Sequence, residues 1–266
     1  MSFNIIVCIK QVPHPEYFSQ ISLDPTQHRI TREGIPAIVN PLDSNALEEG
    51  LRIRERLSGK VTVISMGPPQ ARDAVEEALA IGADDAILLC DQAFSGADTL
   101  ATAYTLASSI QKRGHFDLIL CGNETIDSAT GQVGPQLAEL LDIPHVSFVN
   151  QVAFEQGRSL IVKRALEQGY MKVRVKLPAL LSVTKEINQP RLPTVWGIME
   201  ARSKEIKVWG AADIKAVPDT IGLAGSPTQV TEIFKLDIKR KSEIYQGSPP
   251  EIARKAVSRL QELLAK

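Results

Sequence analysis

The residues with chemical potential in this chain lie just beyond its apolar runs. Lys10-Gln11-Val12-Pro13 follows Ile5–Ile9, Met66-Gly67-Pro68 closes Val61–Met66, Asp91 to Thr99 follows Ala86–Cys90, and Cys121 to Gly134 follows Leu118–Leu120. The last is the richest, because Gly122, Asn123, Glu124, Thr125, Asp127, Thr130, Gly131, Gln132, Val133 and Gly134 combine glycines for close backbone approach with hydroxyls, amides and carboxylates. It runs into a helix-like segment whose free N–H groups suit a phosphate. One exposed helix start supplies only about 0.3–1 kcal/mol, so several donors have to act together. Asp127 or Thr130 is equally suited to cap a helix beginning near Gly131, and Asp98-Thr99 to cap the preceding one. Spacing leaves capping and phosphate binding both open.

Several chemistries lose support. Neither the P-loop pattern nor the G-x-G-x-x-G fingerprint occurs, which argues against a Walker-type nucleotidase and a standard dinucleotide dehydrogenase. There is no G-x-S-x-G elbow and no metal-spaced His/Cys cluster. His14, His28, His115 and His145 are scattered and read as surface or loop residues. No catalytic residue is assigned; any redox chemistry belongs to a bound cofactor that the protein holds, orients and tunes.

The elements that must position these loops follow a β-α-β-α rhythm. Strand-length runs alternate with helically spaced segments at Ala46–Leu57, Ala71–Ile81 and Thr99–Ile110. In the third, Leu100, Ala103, Tyr104, Ala107 and Ile110 form an apolar stripe expected in the core. Continuous apolar strands separated by helices predict an α/β fold with a parallel sheet covered on both faces. Ligands then bind outside the carboxyl ends of the strands, where these loops lie.

After Pro144 the pattern changes to short extended segments, Val146–Val149, Gln151–Phe154, Leu160–Arg164 and Met171–Lys176, as in antiparallel hairpins. Pro178 opens Ala179–Thr184, a run able to rejoin the main sheet, and a proline-rich tail leads to a terminal amphipathic helix near Glu251–Leu264. That tail is expected to have little core of its own. With 266 residues, 44% hydrophobic, one sizeable core is within reach. The 30 basic and 31 acidic residues balance, giving no global case for nucleic acid or an anionic membrane, and no apolar run approaches a membrane span. A cytoplasmic protein is expected. Cys8, Cys90 and Cys121 each sit in or at the end of a strand-like run and read as small buried side chains.

Blocks in these loops resemble electron-transfer flavoprotein β subunits over nearly the whole chain. They are Val7 to Pro13, Asn40-Pro41-Leu42-Asp43 with Ala46 to Glu49, Met66-Gly67-Pro68, Gly122 to Gly134, Val162 to Gly169 and Val173 to Pro178; Gln168 and Met171 depart from the family's usual residues. The resemblance implies a Rossmann-like sheet of the adenine-nucleotide-binding type, an α-subunit partner, and a nucleotide site at Cys8, Asn40 to Asp43, Met66 and Asn123 to Gly134. Ordinary members hold AMP there and electron-bifurcating members a second FAD. Gln132-Val133-Gly134-Pro135 and Asp98-Thr99-Leu100-Ala101-Thr102 look like the bifurcating type, the latter placed for the FAD pyrophosphate and ribityl chain. That likeness implies NADH as electron donor, ferredoxin or flavodoxin as one acceptor, and a flavin-dependent dehydrogenase reached through the α-subunit FAD as the other. The chain would then be the redox subunit of a flavin-based complex.

Asn188 to Met199 is similar to the family's recognition loop, with Val195 and Trp196 as the partner-binding residues. A Trp196 folded back onto the chain's own core is the alternative. Gly222 to Thr228 looks like the family's arm, which packs on the α subunit. The expected organisation is a nucleotide-binding α/β domain over 1–185 with a β excursion at 145–178, a recognition loop over 186–200, and an arm and helix over 201–266.

Overall fold

The computed structural model describes residues 3–24, 29–31, 34–155, 158–232 and 242–265. It separates into two units, Met1–Thr231 and Glu232–Lys266. In chain order the first contains β1 (Phe3–Ile9), β2 (Gln11–Pro13), β3 (Ser22–Asp24), β4 (Arg29–Thr31), β5 (Ala37–Val39), α1 (Pro41–Leu57), β6 (Gly59–Met66), α2 (Arg72–Ile81), β7 (Asp85–Leu89), α3 (Thr99–Arg113) and β8 (Leu118–Gly122). Then come α4 (Val133–Leu140), β9 (His145–Glu155), β10 (Ser159–Leu166), β11 (Gly169–Lys176), β12 (Ala179–Val183), α5 (Val195–Ala201) and β13 (Ile206–Trp209).

A nine-stranded sheet runs in the order β11-β10-β9-β12-β8-β1-β6-β7-β13. From β9 to β13 every neighbouring pair is parallel, while β9, β10 and β11 pair antiparallel. Successive side chains of each strand point to opposite faces, so two cores form. On one face Val7, Val63 and Leu120 pack with Ala46, Leu47 and Leu51 of α1 and Val75 and Ala78 of α2. On the other, Ile6, Ile64 and Ile119 pack with Ala103, Leu106 and Ile110 of α3 and Leu137 of α4. Each such Leu or Ile contributes about 1.5–3 kcal/mol of transfer free energy when fully buried.

Four details differ from the sequence reading. Helix α1 begins at Pro41, ahead of its apolar stripe, since proline suits a first helical turn. Leu100 is exposed, on the first turn of α3. The segments from Val146 to Phe154 form one strand, β9, in which Phe148 takes φ 57° and the register with β12 shifts. The tail past Ala201 has a core: β13 completes the sheet beside β7, and Ile214 and Ile221 are buried. Leu223 of that tail is exposed. Cys8 and Cys121 are buried and Cys90 is half-buried, all three as free thiols.

The second unit is organised by α6 (Pro249–Leu264), whose Glu251 carboxylate accepts the Ser248 N–H at 2.9 Å and hydroxyl at 2.7 Å. Its apolar residues Val257, Leu260, Leu263 and Leu264 are exposed. No helix among the described residues is long and apolar enough to cross a membrane.

Candidate functional site

The strand order reverses at β1. The chain moves outward from β1 through β6 to β7, with α1 and α2 on one face, then crosses back through α3 to β8 on the other side of β1. The carboxyl ends of β1 and β8 meet at this reversal, the position at which open α/β sheets form their ligand crevice.

Three segments meet in that crevice, held by two side chains of the first turn of α1. The Asp43 carboxylate, 4% exposed, accepts the Lys10 N–H at 2.9 Å on one oxygen and the Gly122 N–H at 2.9 Å on the other. The Asn40 side chain, fully buried, donates to the Glu124 carbonyl at 2.9 Å and accepts the Ile126 N–H at 3.1 Å. Gly122 is required here, since a Cβ would stand 2.5 Å from Asp43 Oδ1 and 2.8 Å from Leu42 Cβ. Burial pushes the Asp43 carboxyl up to about 7, against the backbone hydrogen bonds from Gly122 and Lys10, which favour the charged form. Burial likewise raises the Cys8 thiol to about 12, with Asp43 adding to the effect, and raises Cys121. Both cysteines are therefore apolar flooring at neutral pH.

Lys10 Nζ reaches across the crevice to Asp127 Oδ1 at 2.8 Å and Ser128 Oγ at 3.3 Å. The same Asp127 oxygen accepts from Thr125 Oγ1 at 2.8 Å. Asn123 Oδ1 accepts the Phe148 N–H at 3.1 Å, and the Asn123 N–H donates to the Val183 carbonyl. Thus Asp127, one of the two residues suited to cap the next helix, instead folds the loop onto Lys10. Helix α4 has no side-chain cap at all. Its first N–H groups lie beside the exposed Thr130 and Gln132, with Gly131 at φ 63° turning the chain into the helix. This is a start suited to an anionic group.

Gly134 has a different reason from the one spacing suggested. A Cβ there would point inward, 3.2 Å from Cys121 Sγ and 3.6 Å from Leu180 and Ser182, so the residue lets α4 pack closely on β8 and β12. Helix α3 differs from α4 at its start. Asp98 caps it, accepting the N–H groups of Leu100 at 2.9 Å and Ala101 at 3.0 Å, and also that of Thr228 at 3.0 Å. Ser226 Oγ accepts the Asp98 N–H at 2.8 Å. The Asp98 carboxylate thus ties the tail to α3, and an anion at this start would face a carboxylate. Thr99 bridges the two helix starts, its hydroxyl 3.1 Å from Gln132 Oε1. Thr102 lies one turn further along α3, its N–H on the Asp98 carbonyl. Met66 and Gly67 end β6 on the other side of β1, the Gly67 N–H bound to the Leu89 carbonyl.

The pairing of Ser226 and Thr228 with Asp98 escaped the sequence reading, because the partners lie about 130 residues apart and only the fold joins them.

Val195 and Trp196 sit elsewhere, on the first turn of α5, a helix where a loop was expected. Thr194 caps it through Gly197 N–H at 3.0 Å. Val195 is 75% and Trp196 78% exposed, so Trp196 does not fold back onto the core. With Leu192 and Met199 they make an exposed apolar patch.

Comparison with known proteins identifies the family. Residues 28–214 match the electron transfer flavoprotein domain. The chain is 50% identical to the electron transfer flavoprotein subunit beta of Thermoanaerobacterium thermosaccharolyticum, covering 97% of each chain. It is 46% identical to that of Clostridium acetobutylicum, over 97% of this chain and 98% of the relative. It is 44% identical to subunit CarD of the caffeyl-CoA reductase-Etf complex of Acetobacterium woodii, with the same coverage. The strand reversal whose ends are held by Asn40 and Asp43 thus stands in a chain that belongs to the electron transfer flavoprotein family, among its β subunits.

Proposed function

We propose that this β subunit holds FAD in the β1/β8 crevice and works, with an α subunit, as a bifurcating electron carrier. The observation that carries this reading is the Thr99–Gln132 contact at 3.1 Å, which makes the starts of α3 and α4 contiguous. The donor set then extends from the uncapped α4 start to the hydroxyls of Thr99 and Thr102, so that two helices offer partners to one extended ligand. The fit divides the roles. The α4 start, with Thr130, Gly131, Gln132 and Val133, receives phosphate; Asn123, Glu124 and Thr125 flank the adenosine half; Thr99 and Thr102 face the polyol chain. Asp98 serves indirectly, by fixing the α3 start. The kinship with CarD, a subunit of a reductase-Etf complex, supports the same reading.

The chemistry that FAD supplies is hydride acceptance from NADH and electron delivery to ferredoxin or flavodoxin and, through the α-subunit FAD, to a flavin-dependent dehydrogenase of lactate or acyl-CoA type. The chain's own residues bind and orient. Asp43 and Asn40 keep the crevice walls together, and Cys8 and Cys121 line its floor without ionising. Val195 and Trp196 dock the dehydrogenase, since rigid aromatic and aliphatic side chains lose little entropy on association. The tail from Gly222 to Thr228 and helix α6 pack on the α subunit, whose contact would cover the apolar residues of α6.

One observation favours a second reading. Because Asp98 caps the α3 start while α4 has no side-chain cap, anion binding rests on the α4 start beside Thr130 and Gln132, which is enough for AMP in a simple carrier. NADH reduction of the purified αβ heterodimer with ferredoxin present separates the two: ferredoxin reduction coupled to dehydrogenase turnover supports FAD, and its absence together with bound AMP supports the simpler carrier.

A further inference from the structure

Arg191 immediately precedes Leu192, the first residue of the exposed apolar patch, and binds two carboxylates of α1. Its Nε donates to Glu48 Oε2 at 2.7 Å, its Nη2 to Glu48 Oε1 at 3.2 Å, and its backbone N–H to Glu48 Oε2 at 3.2 Å. On its far side Nη1 and Nη2 reach Glu55 Oε1 at 2.5 Å and Oε2 at 3.2 Å. Glu48 is buried at 3% side-chain exposure and is also held by Arg52 Nε at 2.6 Å. Burial opposes its charge, yet the guanidiniums of Arg191 and Arg52 keep its carboxyl below the ordinary range. Glu55 is held low chiefly by the Arg191 hydrogen bonds.

Two further ties fix the same segment. Asn45 and Asn188 bond reciprocally, Asn45 Nδ2 to the Asn188 carbonyl at 2.9 Å and Asn188 Nδ2 to the Asn45 carbonyl at 3.0 Å, and Asn188 also reaches Glu49. Beyond the patch, Gly197 brings α5 against α2 so closely that a Cβ would fall 2.2 Å from the Ala80 carbonyl oxygen. Leu192, Val195 and Trp196 therefore hang between two fixed points, outward and 75–84% exposed. A segment carrying that much apolar surface would otherwise turn it inward, against the chain itself.

We propose that Arg191, clamped by Glu48 and Glu55, is a positioning residue that holds the Leu192-Val195-Trp196 patch in its docking-competent pose. This rests on the reading of that patch as the dehydrogenase-docking surface. The planar guanidinium, with donors on two edges, fits the task because it spans two carboxylates at once, which a lysine ammonium cannot do in the same geometry.

The experiment uses the αβ heterodimer with R191Q, R191K, V195A/W196A and the combination of R191Q with V195A/W196A. Affinity is measured against a purified flavin-dependent acyl-CoA or lactate dehydrogenase that the unaltered heterodimer binds. Hydrogen exchange of residues 188–196 is followed in the heterodimer alone. If R191Q leaves about one loop in ten competent, the apparent Kd rises about tenfold. R191K should fall between, exchange over 188–196 should quicken in R191Q, and R191Q should add nothing to V195A/W196A. Weakening by V195A/W196A with unchanged affinity and exchange in R191Q overturns the clamp and leaves the docking surface standing. Full additivity of R191Q with V195A/W196A also overturns it, since Arg191 would then act elsewhere. Unchanged affinity in V195A/W196A removes the docking reading, and the clamp's purpose with it.

Discussion

The Asp43 carboxylate accepts the Gly122 N–H at 2.9 Å, which fastens the first turn of α1 to the end of β8 across the crevice. Its other oxygen holds the Lys10 N–H at the end of β1. One side chain therefore sets the spacing of both crevice walls.

A pH signature follows from that burial. The Asp43 carboxyl titrates near 3.8 when unperturbed and at about 7 in the folded chain, so the native state binds the proton more tightly. Its stabilising contribution is full below about pH 4 and is lost as pH rises through about 7. Thermal unfolding of the heterodimer from pH 5 to 8 should show stability shifting in favour of D43N relative to the unaltered chain, by up to about 1 kcal/mol per pH unit. Parallel pH profiles for the two would refute the buried, proton-holding Asp43.

Asn40 offers a test of the loop itself. Asn40→Ala deprives the part-buried Ile126 N–H and the Glu124 carbonyl of their partner, at a cost of up to about 1–3 kcal/mol for a group that water does not reach. The 123–132 segment should loosen, visible as faster hydrogen exchange there and as loss of bound nucleotide, with exchange in β6 and β7 unchanged. Retention of nucleotide at full occupancy would show that the loop is held by something else.

Gly134 separates packing from ligand contact. A leucine would drive its side chain into Cys121, Leu180 and Ser182, an overpacking that costs about 1–3 kcal/mol and lowers the melting temperature even after nucleotide is stripped. Alanine, whose Cβ approaches only Cys121 Sγ closely, should cost far less. Equal melting temperatures for G134L and the unaltered chain, both stripped of nucleotide, would contradict this placement.

The buried thiols should be inert. With Cys8 raised to about 12 and Cys121 also raised, alkylation of the native heterodimer at pH 8 should reach Cys90 first and leave the other two unmodified until unfolding. Rapid labelling of Cys8 in the native state would place it outside the crevice floor.

Much of this architecture is legible in the residues because local and global signals coincide. Runs such as Ile5–Ile9 and Leu118–Leu120, buried on both faces, have no stable place except the centre of a covered sheet, and their ends locate the crevice. What escaped depends on distant partners. The strand β13 is four residues with two exposed, too short to announce itself, and exists because β7 offers it an edge. The cap of α4 was open between Asp127 and Thr130; it stays empty because Lys10, more than 100 residues earlier, engages Asp127. Gly134 was legible as a glycine that must be small, but not which neighbour required it. Arg191 carries no signal of its own within Asn188 to Met199, since Glu48 and Glu55 face it only once α1 has docked.

The central claim is best tested by the nucleotide content of the αβ heterodimer, released with acid and separated by chromatography. Two FAD per heterodimer with no AMP is the predicted result and places FAD in this subunit's crevice. One FAD with one AMP would contradict it and make the chain a scaffold in a simple electron carrier.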